Sequence, residues 1–327
     1  MTRRLLWAKH CAMNTIFVDG AAGTTGLEIG ERLAQRRDLQ VLALAESARK
    51  DPGARREALN NADVVILCLP DAPAREAVQL IDNPRTRIID ASSAHRTASD
   101  WVYGFAEFVP GQGERIAGAK RVSNPGCYAT GFLALVRPLV DAGLIGHDEA
   151  ITVNALSGYS GGGKTMISEF ESKAVHAGTR TYATALTHKH LPEMQQHAAL
   201  HHPPLFAPTV GNFYRGMVVE VPLSLWALSA RPKGGELRRV LAERYAGCDL
   251  VAVASEEECK TITDVRVESL ARTDRLKLYV FANEANQQAR LVAVLDNLGK
   301  GAAGAAVQSL NLMLGLPAAT GLFLEAP

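Results

Sequence analysis

Thr15-Ile16-Phe17-Val18-Asp19-Gly20-Ala21-Ala22-Gly23-Thr24-Thr25-Gly26 is the stretch that decides the fold. Four β-favouring residues run into a turn with glycines three apart, and residues 25–36 then place Leu27, Ile29, Leu33 and Ala34 on the buried side of a helix. Strand, glycine turn and helix in that order open a dinucleotide-binding fold, although the spacing is a variant of G-x-G-x-x-G. Glycine lets backbone N–H groups approach a pyrophosphate, and a helix start adds unpaired donors and about half a positive charge. Gly20, Ala22, Gly23, Thr24, Thr25 and Gly26 are therefore expected to bind cofactor phosphate. A tight turn that needs glycine only for its dihedrals is the competing account.

Outward from this unit, strands are expected at residues 40–45, 62–69 and 86–89, alternating with helical stretches and punctuated by Pro70, Pro73 and Pro84. The class is α/β, a Rossmann-like dinucleotide-binding domain. Past Ser123-Asn124-Pro125-Gly126 the rhythm changes to β-rich segments at 151–155, 216–221, 260–267 and 277–282, expected as an α+β domain with a largely antiparallel or mixed sheet. Residues 301–314, with Val307, Leu310 and Leu314 at helical spacing, read as a helix returning to the first domain. The expected division is an extension at 1–12, a nucleotide-binding domain at 13–126 with 297–327, and a catalytic and oligomerisation domain at 127–296.

Composition narrows the function classes. A chain of 327 residues that is 47% hydrophobic and 21% charged is neither disordered nor fibrous. Thirty-five basic against 34 acidic side chains leave a net charge of +1, so no field favours nucleic acid or an anionic membrane. Apolar runs such as residues 64–69 are strand-sized, short of the roughly 18 residues of a membrane span. Cys11, Cys68, Cys127, Cys248 and Cys259 are scattered without a C-x-x-C pair, which argues against disulfides and thiolate zinc and for a reducing cytoplasm.

The end of the second strand selects the cofactor. Glu46 suits a ribose hydroxyl, but Ser47, Arg49 and Lys50 follow it at once and suit a 2′-phosphate, so NADP is expected. Cys127 follows a Pro-Gly turn and precedes Phe132, Leu133, Val136, Leu139 and Val140 at helical spacing. It is thus expected at a helix N-terminus, where the thiolate is favoured and can attack an acyl group. His188 and His190 are expected on one face of an extended segment, with Pro192 and Glu193 in the helix turn that follows; one histidine would act as general base. His197, His201 and His202 lie close enough in sequence to raise a metal site, but no acidic or thiolate partner completes it, and no metal is expected.

Five segments together resemble one family, the shorter type of N-acetyl-gamma-glutamyl-phosphate reductase, in the wider group with aspartate-semialdehyde dehydrogenase. They are residues 20–26, 90–96 (Asp-Ala-Ser-Ser-Ala-His-Arg), 123–130 (Ser-Asn-Pro-Gly-Cys-Tyr-Ala-Thr), 188–193 (His-Lys-His-Leu-Pro-Glu) and 296–302 (Asp-Asn-Leu-Gly-Lys-Gly-Ala). The resemblance implies NADPH-dependent reduction of an acyl phosphate, N-acetyl-L-glutamyl 5-phosphate, to the semialdehyde through a Cys127 thioester, in arginine biosynthesis. It places the acid/base role on His190, leaves His188 a neighbour, and implies a homodimer or homotetramer. Arg96 and Lys164 are then the phosphate candidates, Arg215 is either the partner of the substrate carboxylate or a member of a surface salt bridge, and Asn124, Ser157, His188 and Glu193 are further substrate contacts. Ser92, Asn297, Gly299 and Gly301 would lie along the cofactor. Ala94-His95 departs from the longer members, which carry an acidic and an aromatic residue before the arginine.

Three rivals stand beside this reading. Residues 158–165 satisfy G-x-x-x-x-G-K-[ST], and residues 290–296 resemble an apolar strand ending in an acid, so an NTPase is one. An NADP-binding sensor without catalysis is the second, and aspartyl phosphate reduction the third.

Overall fold

The computed structural model describes residues 13–49, 51–172 and 178–326. The expected extension and Lys50 lie outside these.

The first sheet grows from β1 (Asn14–Asp19), α1 (Thr24–Leu33), β2 (Leu39–Leu42), α2 (Pro52–Asn61), β3 (Val64–Leu67), α3 (Asp71–Gln79), β4 (Arg87–Asp90), β5 (Val102–Tyr103), α4 (Gln112–Gly118) and β6 (Arg121–Ser123). Its strands run in the order β2-β1-β3-β4-β6-β5, and every pair is parallel. A parallel sheet covered on both faces has no polar side, so β3 reads as four consecutive apolar residues, all buried. Val64 and Ile66 join Ile16, Ile29 and Leu33 on one face, while Val65 and Leu67 join Phe17, Leu59 and Ala77 on the other. The order steps outward in both directions from β1 and β3, and a crevice at such a switch point receives the ligand in open α/β sheets.

The second sheet takes up α5 (Cys127–Asp141), β7 (Thr152–Gly158), α6 (Gly163–Glu171), β8 (Thr179–Thr181), α7 (Leu191–Ala198), β9 (Leu205–Gly211), β10 (Met217–Ser224), α8 (Gly234–Arg244), β11 (Val251–Val253), α9 (Glu256–Thr261), β12 (Leu276–Asn283) and β13 (Gln288–Leu295). Its order is β11-β12-β13-β10-β7-β9-β8, with the three central pairings β12–β13, β13–β10 and β10–β7 antiparallel and β7–β9 and β11–β12 parallel. The sheet is therefore mixed. Helix α5 lays Phe132, Leu135, Val136 and Leu139 against Val219, Val221, Leu291 and Ala293, forming the larger core.

The expected strand at 260–267 is corrected. Ser255 caps a helix there, accepting from Glu258 N–H at 3.1 Å, and α9 occupies Glu256–Thr261. The apolar Ile262, Val265 and Val267 that mimic a strand pack on the outer face of the second sheet with Val218 and Val292.

After β13 the chain makes a widened π-helical turn, Gly299–Ala303, in which Gly301 N–H donates to Asp296 and Ala303 N–H to Leu298, each five residues back at 3.0 Å. α10 (Gly304–Met313) then carries Val307 and Leu310 into the first sheet's core. The expected helix over 301–314 thus begins as a different kind of turn.

Candidate active site

The candidate site is built at the N-terminal ends of two helices, α1 and α5. At the first, Gly20 leaves β1 with φ +87°, and a Cβ there would overlap the Cys68 carbonyl oxygen; a Cβ at Gly26 would overlap Gly20 O. Glycine is required at both positions. Leu27 N–H makes the first helical bond, to Gly23 O at 2.9 Å, so Thr24, Thr25 and Gly26 hold the donors that every helix start leaves unpaired. The turn opens on a cleft of about 1040 Å³, lined by Gly20, Ala21, Ala22, Gly26, Val41 and Arg49 among others. This volume and donor set fit the phosphates and one nucleoside of a dinucleotide.

Glu46, Ser47 and Arg49 are exposed at the far side of the crevice, beyond β2. Arg55 on α2 also lines the cleft and pairs with Asp19 at 2.7 Å. Nothing in its spacing marks Arg55 in the sequence, because the α2–β1 contact is tertiary.

At the second end, Gly126 caps α5 and Cys127 is its first residue. The residues around Cys127 come from three separate segments. An ideal Cβ on Gly126 would lie 2.5 Å from His190 Nε2 and would overlap Arg96 Nη1, so both groups are pressed against the residue preceding the cysteine. From the other side Gly301 arrives so closely that its Cβ would lie 2.8 Å from Cys127 Cβ. Asn124 Nδ2 donates to Ala302 O at 3.0 Å, which ties the π-turn to the cysteine loop, and its Oδ1 is buried without a partner among the described residues.

Glu193 organises this group. Its Oε1 accepts from Tyr103 Oη at 2.7 Å and from Gly126 N–H at 2.8 Å, and its Oε2 from Arg96 Nη1 at 3.1 Å. The expected substrate contact is thus corrected: the carboxylate is 1% exposed and already engaged by protein donors. Arg96 also donates to Asn124 O at 3.0 Å and Ala91 O at 3.4 Å, which leaves two of its five N–H groups free.

The protonation states follow from the surroundings. The Cys127 thiol keeps some exposed surface, yet protein packing dominates and pushes its pKa up; Arg96, the Tyr128 N–H and Lys189 pull it down without prevailing. The expected preformed thiolate is therefore corrected to a thiol at rest. His190 is 4% exposed, and burial with Arg96, His188 and Lys189 nearby holds its pKa well below the ordinary range. It is a neutral imidazole, and its Nδ1 is unpartnered among the described residues. The His188–His190 segment is a turn, with His188 Nδ1 accepting from His190 N–H at 3.1 Å, where an extended segment was expected.

Other expected site residues fall elsewhere. Arg215 is buried between two acids, 2.5 Å from Glu28 of α1 and 3.4 Å from Asp296, and so links the two sheets where a substrate contact was expected. Lys164 stands exposed in the first turn of α6. Lys189 is the second cation acting on the thiol. Asn297 has both amide atoms engaged, accepting from Gly216 N–H and donating to Ser160 Oγ at 2.9 Å each. A Cβ on Gly299 would overlap Thr273 O, so its glycine serves packing. The Ser92 hydroxyl donates to Asp90 at 2.7 Å and accepts from Ala94 N–H, closing a turn, and Ser157 is 2% exposed beneath the site.

The NTPase reading meets a direct obstacle. Gly158, Tyr159 and Ser160 donate their N–H groups to Gly216, Phe213 and Tyr214 carbonyls at 2.9–3.1 Å, leaving those donors no phosphate to cradle. The metal reading meets another, since His197 Nε2 faces Arg96 O whereas His201 Nδ1 faces Asp148; among the described residues no cluster of three such side chains can hold a metal.

Family comparisons agree with this geometry. Residues 15–116 match the family described as Semialdehyde dehydrogenase, NAD binding domain, and residues 127–297 match Semialdehyde dehydrogenase, dimerisation domain. The N-acetyl-gamma-glutamyl-phosphate reductase of Brucella anthropi is 52% identical, covering 92% of this chain and 98% of that protein. The chain belongs to the N-acetyl-gamma-glutamyl-phosphate reductase family. A second reductase, from Trichormus variabilis, is 50% identical over 94% of the chain and 98% of its own length. Among solved structures, aspartate semialdehyde dehydrogenase II of Vibrio cholerae superposes with a TM-score of 0.70 at 15% identity, over 93% of this chain and 99% of that one, which shows a shared fold. The reductase-family chain also has no helix long and apolar enough to cross a membrane among its described residues.

Proposed function

We propose that the chain uses NADPH to reduce N-acetyl-L-glutamyl 5-phosphate to N-acetyl-L-glutamate 5-semialdehyde and phosphate, a step of arginine biosynthesis, as a cytoplasmic homodimer or homotetramer. The observation that carries the reading is the thiol of Cys127 at the start of α5, with His190 Nε2 and Arg96 Nη1 crowding Gly126. Residues 13–126 with 297–327 would hold the cofactor, and 127–296 the catalytic groups. The donors of residues 20–26 and the cleft beside them accept the dinucleotide, with Ser47, Arg49 and Arg55 nearest a 2′-phosphate.

Neutral His190 takes the proton of Cys127 as sulfur attacks the acyl carbon. The carbon–oxygen bond to phosphate breaks, and the phosphate leaves with the electron pair to the spare N–H groups of Arg96, with Lys189 adding positive potential. Bound NADPH supplies the hydride that reduces the thioester carbon. The oxyanion so formed collapses, the carbon–sulfur bond breaks, and Cys127 regains its proton from His190. Glu193 positions Arg96 and Gly126 throughout.

The test runs the reaction backwards. Purified protein is expected to form NADPH from N-acetylglutamate semialdehyde only when phosphate is present, with NADP preferred over NAD. Turnover of aspartate semialdehyde at an equal rate, or turnover independent of phosphate, would overturn the assignment.

A further inference from the structure

The mechanism above uses His190 and leaves His188 without a role. The surroundings of His188 differ in kind. Its ring meets Tyr128, Tyr182 and Phe206 edge to face, at centroid distances of 5.7, 5.8 and 5.1 Å. Tyr182 donates its hydroxyl to that of Tyr128 at 3.0 Å, and Tyr128 is the residue after the nucleophile. Tyr128 and Phe206 are buried, whereas Tyr182, His188 and Cys127 are half-buried, so the ring cluster and the thiol both keep accessible surface.

One hydrogen bond fixes what His188 can offer. Its Nδ1 accepts from a backbone amide, the His190 N–H, and an amide N–H only donates. Nδ1 therefore carries the lone pair, and the proton of the neutral ring sits on Nε2. Burial, with Lys189 and Arg96 nearby, also pushes the ring's pKa down to about 4, so it stays neutral near pH 7. His188 is an uncharged N–H donor of fixed tautomer framed by aromatic rings.

We propose that this cluster is the pocket for the acetamido group of the substrate, with His188 Nε2–H donating to the acetyl carbonyl oxygen and Tyr182 packing the acetyl methyl. The inference rests on the reductase reading and deepens it by naming the residues that make the acetyl group matter. An amide carbonyl accepts from a neutral N–H, whereas a free α-ammonium would set donor against donor beside Arg96 and Lys189. The carboxylate of Glu193 offers such an ammonium no relief, since it is bonded to Arg96, Tyr103 and Gly126.

Two substitutions and two aldehydes separate this role from a structural one. His188→Asn keeps an acceptor for the His190 N–H and removes the donor at the ε position; His188→Gln puts an amide donor near that position. The second aldehyde is 5-oxopentanoate, the same carbon chain without the acetamido group. His188→Asn is expected to lower kcat/KM for N-acetylglutamate semialdehyde about 30-fold, the worth of one buried hydrogen bond. Its kcat/KM for 5-oxopentanoate and its KM for NADP stay within about twofold of wild type, and His188→Gln recovers most of the loss. Competitive inhibition by N-acetylglutamate and by glutarate repeats the comparison without turnover. An equal loss with both aldehydes and both inhibitors overturns the pocket, because a turn-forming residue does not sense the acetamido group. Wild-type kinetics in His188→Asn overturn it as well. If the unsubstituted enzyme oxidises neither aldehyde with NADP and phosphate, the reductase reading fails first and the pocket with it.

Discussion

The chain enters two of its helices through glycine-rich turns, and the turns at residues 20–26 and 299–304 face different neighbours. In the first, Gly20 and Gly26 fold the turn tightly on itself and on Cys68, and the turn borders an open cleft. In the second, Gly299, Gly301 and Gly304 press on Thr273, Cys127 and Asp274, where a Cβ would intrude on each. One turn leaves backbone donors bordering a cleft, while the other seats the chain against Cys127. The difference teaches that a glycine's task is read from what its missing Cβ would meet, because the letters of the two turns are alike.

Cys127→Ser gives the largest separation of the two. Turnover is expected to fall by at least about 10³-fold while NADPH affinity, read by fluorescence titration, stays at the wild-type value, since a hydroxyl is a far poorer nucleophile at neutral pH. A parallel loss of NADPH binding would merge the two regions into one function. Gly301→Ala should come next. Its methyl displaces Cys127, and a shift near 1 Å costs about 10²-fold in kcat with KM for NADPH little changed. A variant that instead weakened NADPH would make the second turn a cofactor loop after all.

Gly20→Ala imposes a side chain at φ +87° against a backbone carbonyl. Strain of about 1–3 kcal/mol is expected, read as a lower Tm and weaker NADPH binding with kcat preserved at saturation. The wild-type thiol offers a pH test of the second region. Because burial raises the Cys127 pKa, inactivation by iodoacetamide should climb about tenfold per pH unit from 6 to 8 without levelling. A plateau in that range would mean a thiolate at rest. Gly23→Ala is the smallest change: its Cβ would lie 3.2 Å from Gly20 O with no positive φ, and NADPH affinity should drop by about twofold. A tenfold drop would show that the middle glycine itself touches the phosphates.

The first sheet was readable because its strands are short apolar runs between proline and glycine punctuation, and β1, β3 and β4 lie within two residues of their expected limits. The second was less so. β9, β11 and α9 carry polar or alternating residues whose state depends on which face of the sheet they cover, as Ile262, Val265 and Val267 show by lying over strands they do not join. At the site, Cys127 and the pair His188 and His190 stood out because a cysteine after Pro-Gly and a His-x-His-x-Pro-Glu run are chemically unusual, and only the family resemblance chose His190 from the pair. Arg215 and Lys164 looked equally suitable as anion ligands. Only the fold shows that Glu28 and Asp296 neutralise the first and that the second points to solvent.

What the residues alone determine about this protein is local: the β1–α1 glycine turn and the cysteine at a helix start. Each depends on dihedral preference and hydrophobic period over a few neighbours, and such information is written in consecutive letters. The tertiary structure decides the rest, including the protonated state of Cys127, the engagement of Glu193 and the closeness of Gly301. These depend on desolvation and on hydrogen bonds between segments tens to hundreds of residues apart, so they exist only once the two sheets have brought those segments together.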